Sequence, residues 1–211
     1  MSVARQPGFT LIEIAIVIAI ISLLTGMIMG GQSLIESAKV GNAIATAKDV
    51  SLAAKTFRER YKYWPGDLPN ASAVIPNLPA ACNMDIPPAN PAIGNGAIDT
   101  ATEISCAIEE LFQAGLIRAD LDGAGVYHIL STETGPIRFL ASSASNVTTF
   151  PVGVNVVEFT GLSCKFVQSM DSKIDDNNIS SASTGKARAS VASCTPNGVN
   201  DPVPFYAVAA N

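Results

Sequence analysis

The sequence predicts an α+β chain: one long amino-terminal α-helix, membrane-spanning in its first half, packed on a small antiparallel β-sheet head whose loops are stapled by disulfides. Three observations carry this. Residues 14–30 form an apolar run without a charge, and helical spacing of apolar side chains continues to residue 61. Past residue 120 the apolar residues fall in short runs bounded by Gly, Pro, Asn and Thr, as in strands and hairpins. Four cysteines agree with an oxidising compartment.

Residues 1–8 are a short polar leader containing Arg5 and ending in Gly8. A secretory signal places its small-residue cleavage site after the apolar stretch, whereas Gly8 comes before it. Cleavage after Gly8 would leave the helix on the mature chain and create a new amino group on Phe9. Glu13 stands at the head of the apolar run. A charge inside a spanning helix costs about 2.5 to 3.5 kcal/mol on insertion scales, so Glu13 needs a partner. The Phe9 ammonium is the one strong cation at that depth, and the first helical turn favours a carboxylate through the helix dipole. The bland alternative is a Glu13 solvated at the headgroup level.

Gly8, then Phe9-Thr10-Leu11-Ile12-Glu13, then an aliphatic helix resembles the prepilins, that is, type IV pilins and the pseudopilins of type II secretion. The resemblance is specific over residues 5–30 and rests on architecture beyond them. It implies a type IV pilin-like fold, cleavage between Gly8 and Phe9 by a prepilin peptidase, N-methylation of Phe9, and polymerisation into a helical filament on an inner-membrane assembly platform. It also implies that Glu13 meets the amino terminus of a neighbouring subunit and sets the stagger, a register role well attested for buried ion pairs. The expected layout is a leader over 1–8, a membrane and filament-core helix over 9–30, an amphipathic continuation over 31–63, and a head over 64–211. The positive-inside rule keeps Arg5 cytoplasmic and sends the head to the periplasm. Before assembly the partner is the lipid bilayer of the inner membrane; afterwards the location is a pilus at the cell surface or a periplasmic filament. The expected function is a structural filament subunit. The alternatives are a pseudopilin driving protein export and a minor tip subunit with an adhesive or DNA-binding role.

Residues 34–61 carry two stripes. Val40, Ile44, Ala47, Ala54, Phe57 and Tyr61 recur at helical steps as a face seated on a head. Leu34, Ala38, Gly41, Ala45 and Leu52 form a second, mostly small-residue stripe suited to close helix–helix approach. From Phe9 to Arg60 the helix would be ~78 Å long. The resemblance to pilin-like subunits implies local unwinding on assembly, with Gly30-Gly31 as its expected place and close packing between helices as the alternative reason for the glycines.

Trp64-Pro65-Gly66-Asp67 ends the helix, since Pro65 biases Trp64 away from helical angles. Tyr63 and Trp64 are expected to plug the helix–head junction. Residues 70–99 read as a long loop stapled at Cys82. A helix follows, with Thr100 or Thr102 near its start and Gly115 near its end. A hairpin is expected around residues 134–136, a strand over 152–159, and weaker strands over 187–192 and 205–208.

The cysteines allow three connectivities. Cys82 with Cys106 and Cys164 with Cys194 is the expected one, because each pair is local and brackets one loop region. No cofactor is expected beyond one calcium candidate: Asp171, Asp175 and Asp176 offer hard oxygen ligands, with a solvated acidic turn as the competing reading. A net charge of -5 leaves no nucleic-acid footprint. His128, the sole histidine, has no nucleophile in a recognisable motif, so the chain reads as a non-enzyme.

Overall fold

The computed structural model describes residues 8–84, 93–121, 127–132, 135–147, 150–175, 179, 185–198 and 200–210. Two compact units divide the chain, Met1–Lys39 and Val40–Asn211. Helix α1 spans Leu11–Tyr61.

In the first unit the side chains from residue 11 to residue 28 are exposed, and this stretch is long and apolar enough to cross a bilayer. Ser22 and Thr25 do not break that character, because their hydroxyls donate back to the carbonyls of Ile18 (2.7 Å) and Ile21 (2.6 Å). The helix runs through Gly26, Gly30 and Gly31 without interruption. A Cβ at Gly26, Gly31 or Gly41 would meet no atom among the described residues.

In the second unit the carboxy-terminal half of α1 buries Val40, Ala43, Ala47, Val50, Ala53, Ala54 and Phe57 in the main core, with Ile44 and Tyr61 partly buried beside them. Gly41, Ala45 and Leu52 of the second stripe are exposed. Tyr61 ends the helix, and Lys62 turns the chain with a positive φ of 69°. Helix α2 spans Ala101–Gln113. Thr100 is its N-cap, in a reciprocal capping box with Glu103, and Gly115 follows its end at φ 73°.

Strands β1 (Asp120–Leu121), β2 (His128–Thr132), β3 (Gly135–Ala141), β4 (Asn155–Leu162), β5 (Ala187–Ala189) and β6 (Val203–Ala209) form one antiparallel sheet among the described residues, in the order β1-β2-β3-β4-β6-β5. Thr132 pairs with Gly135 in the β2–β3 hairpin. Gly135 and Pro136 therefore belong to β3 rather than to the turn expected around them. β4 begins at Asn155, later than the expected 152, because Gly153 has φ 85° and ends the preceding turn. β5 is shorter than expected and β6 longer.

Alternation along the strands builds two cores. Phe139, Val157, Phe159 and Tyr206 join α1 in the main one, while Leu140, Val156 and Ala207 meet Val147 and Phe150 in the other. Helix α3 (Cys164–Ile174), capped by Ser163, lies where an acidic turn was expected. It buries Cys164, Val167, Met170 and Asp171 on one face.

Candidate functional site

The amino-terminal segment is built from a cap. Glu13 Oε2 accepts from the Thr10 N–H (2.7 Å) and from the Thr10 hydroxyl (2.7 Å), and the Glu13 N–H donates to Thr10 Oγ1 (3.3 Å). This Thr-x-x-Glu box satisfies two amide donors at the start of α1. Glu13 is thus held at the helix start by its own chain, next to Phe9, which is 87% exposed. Gly8 is exposed and a Cβ there would meet no atom among the described residues. Gly8, Phe9 and Glu13 therefore lie within six consecutive residues and are all exposed. The box was legible as Thr10-x-x-Glu13, a signal the dipole argument alone passes over.

The cysteines are joined Cys82–Cys106 and Cys164–Cys194, with Cα–Cα distances of 5.5 and 5.7 Å. The first ties the turn at Ala80–Cys82 to α2, within a small cluster with Met84 and Ile93. The second ties the start of α3 to the segment before β6. There Asp201 accepts from the Cys164 N–H (2.9 Å) and the Asn197 N–H (2.5 Å), which hold its carboxyl below the usual range.

Asp171 and Asp175 are separated by their surroundings. Asp171 is fully buried in α3 and accepts from the Tyr206 hydroxyl at 3.0 Å, so it is not part of a solvated surface turn. Asp175, at the end of α3, accepts from the Ala187 N–H at 3.0 Å, and Gly185 leaves room for its carboxylate where a side chain would collide. Asp176 lies outside the described residues. Among the described residues no three His, Cys, Asp or Glu side chains are grouped as a metal would require.

His128 opens β2 with its ring stacked on Phe112 (3.6 Å between centroids) and its Nδ1 2.8 Å from Glu109 Oε2. Glu109 also accepts from the His128 N–H (2.6 Å) and from Gln113 (2.7 Å), so the pair ties α2 to β2. At the end of α1, Trp64 is partly buried, 6.2 Å from Phe139, with Arg58 over its ring. Tyr63, expected to share in this plug, is 38% exposed.

The turn beyond Trp64 carries a group that sequence reading passes over. Asp67 is fully buried and accepts from the Gly94 N–H (2.5 Å) and the Gly96 N–H (2.9 Å). Glu110 accepts from the Gly66 N–H (2.8 Å), and Glu103 from the Asp99 and Thr100 N–H groups (3.0 and 2.8 Å). The i, i+7 spacing of Glu103 and Glu110 on an otherwise apolar face of α2 was the available signal.

Residues 3–29 match the family described as the prokaryotic N-terminal methylation motif. No curated protein and no solved structure matches the chain. The match takes in Gly8, Phe9, the Thr10–Glu13 cap and nearly all of the apolar run. With its long amino-terminal helix, its antiparallel sheet and its two disulfides, the chain carries the prepilin-type methylation motif of type IV pilins and pseudopilins on a type IV pilin-like α+β fold.

Proposed function

We propose that this chain is a structural subunit of a type IV pilus or pilus-like filament. It is made as a prepilin, cleaved between Gly8 and Phe9 by a prepilin peptidase, N-methylated at Phe9, and polymerised on an inner-membrane platform through its amino-terminal helix. Residues 1–8 are the leader, 9–30 the membrane and filament-core helix, 31–63 its amphipathic continuation, and 64–211 the head. The role is structural rather than catalytic. The observation that carries the reading is the methylation motif over residues 3–29. Two features support it: an exposed Gly8–Phe9 bond, and an apolar helix whose side chains at 11–28 are exposed.

Filament assembly covers these side chains. In the bilayer the apolar surface faces lipid, and in a filament it faces other copies of the same helix. Glu13 then exchanges its Thr10 donors for, or shares them with, the amino group of a neighbouring Phe9, which makes one stagger better than the others. Intact-mass measurement and amino-terminal sequencing of the protein in a sheared surface fraction test this. A methylated Phe9 terminus in abundant filaments is expected. The same terminus confined to membranes would move the reading to a pseudopilin or a minor subunit, and an uncleaved Met1 would overturn it.

A further inference from the structure

We propose that Asp67, Glu103 and Glu110 form a proton-gated latch that fastens the turn after α1 to α2, closed while the cluster holds a proton and loosened when that proton leaves. The three carboxyls come from two places in the chain and are all fully buried. Their hydrogen-bond donors are backbone amides: Gly94 and Gly96 for Asp67, Asp99 and Thr100 for Glu103, and Gly66 for Glu110. Glu103 Oε1 and Glu110 Oε1 are buried and accept no hydrogen bond among the described residues. A buried carboxylate oxygen without a donor is costly, and a proton lowers the cost by neutralising the group.

The charges around the cluster do not relieve it. Asp67 and Glu103 act on Glu110 with like sign, and Asp99, in the loop before α2, acts on Asp67 in the same way. On the flanking elements the charged groups are engaged elsewhere: Glu109 of α2 with His128 of β2, Arg138 of β3 with Glu158 of β4, and Arg58 of α1 over the Trp64 ring. Burial first, then the Asp67 and Glu103 charges, push the Glu110 carboxyl up to about 8 against the opposing pull of the Gly66 N–H. Burial also raises Asp67 and Glu103.

The turn transmits this change because it touches α2 directly. Gly66 has φ 88°, and a Cβ there would run into the Glu103 carbonyl and stand 3.2 Å from the Ala107 Cβ. Nothing but glycine lets the backbone approach this closely. The sign follows from proton uptake. An unfolded Glu binds its proton only below about 4.3, whereas folded Glu110 holds it up to about 8. The folded state therefore binds more protons between those values, and stability falls as pH rises through that window.

Trp64, the sole tryptophan, reports on the latch, since its carbonyl accepts from the Asp67 N–H at 3.1 Å. The test is Trp64 emission and the thermal midpoint of the full chain in detergent micelles between pH 5 and 9, below the range of tyrosine ionisation. The wild type is expected to shift its emission and lose thermal midpoint toward pH 9. Glu110→Gln, which keeps an acceptor for Gly66 and cannot ionise, is expected to lose most of that change. Histidine as a type titrates in this window, so His128→Gln is the control and is expected to keep it. A flat wild-type profile, an unchanged profile in Glu110→Gln, or a lost one in His128→Gln overturns the proposal. If Glu110→Gln does not fold, carboxyl carbon NMR of the wild type decides: one Glu titrating near 8 supports the latch, and all below 6 sinks it.

Discussion

Gly8 shows how a residue's place in the fold separates two explanations of one phenotype. A methyl group at Gly8 meets no atom among the described residues, so Gly8→Ala is expected to leave the thermal midpoint of the precursor unchanged while the uncleaved form accumulates on a gel. Equal processing of variant and wild type would count against Gly8 as the cleavage determinant. Gly66 is the opposite case. Its positive φ and its contact with the Glu103 carbonyl make Gly66→Ala strained and overpacked at once, with an expected loss of roughly 2 to 4 kcal/mol in denaturant unfolding. A change under 1 kcal/mol would show that the turn yields. The sequence announces Gly8 through its position before an apolar run. It announces Gly66 only as part of a Pro-Gly-Asp turn, because the atom it must avoid arrives from a helix more than thirty residues downstream.

Elements were legible where one periodicity runs long enough to exclude another. The α1 stripes are of this kind, and they separate stability from assembly. Phe57 is fully buried, so Phe57→Ala is expected to cost about 3 to 5 kcal/mol. Leu52 is 66% exposed, so Leu52→Ala is expected to change stability by no more than about 0.5 kcal/mol and to be read instead in filament yield. Chemical denaturation of both variants checks the contrast. Helix α3 was not legible. Its apolar face is broken by Asp171, whose burial depends on the Tyr206 hydroxyl from β6, a partner no local pattern supplies. The hairpin turn was misplaced for a related reason: Gly135 and Pro136 look like turn residues, but pairing with β4 holds residues from Ile137 on in register and the strand extends back to Gly135. The loop before β6 adds an acid-side device. The Asp201 carboxyl is held below its usual value by the Cys164 and Asn197 amides, so its contribution is present above the unfolded value of about 3.9 and fades as pH falls through the folded one. Asp201→Asn is expected to lower the thermal midpoint at pH 6 and to converge on the wild type in strong acid; a constant difference at every pH would exclude the titration.

At the scale of the whole molecule the two units answer to different solvents. The head carries its own core, sheet and disulfides, whereas residues 11–28 are apolar and uncovered. Under the proposed function, lipid or other copies of the chain cover this surface. Under the function proposed above, Glu13 would decide between these two environments, because it would be tolerated in both at unequal cost. In the bilayer it carries a penalty of about 2.5 to 3.5 kcal/mol on insertion scales, lessened by the Thr10 cap. In the proposed filament a neighbouring amino terminus would offer it a cation. Replacing it with alanine removes the penalty in the membrane and the attraction in the filament, and both changes favour the membrane-bound monomer. Glu13→Ala is thus expected to insert and to be cleaved after Gly8 as the wild type is, while the ratio of sheared to membrane-bound protein falls at least tenfold, the equivalent of about 1.4 kcal/mol. Quantitative immunoblotting of the two fractions measures that ratio. Undiminished filament from Glu13→Ala would mean that the stagger is set by the apolar helix surfaces alone, with Glu13 left as the cap of its own helix.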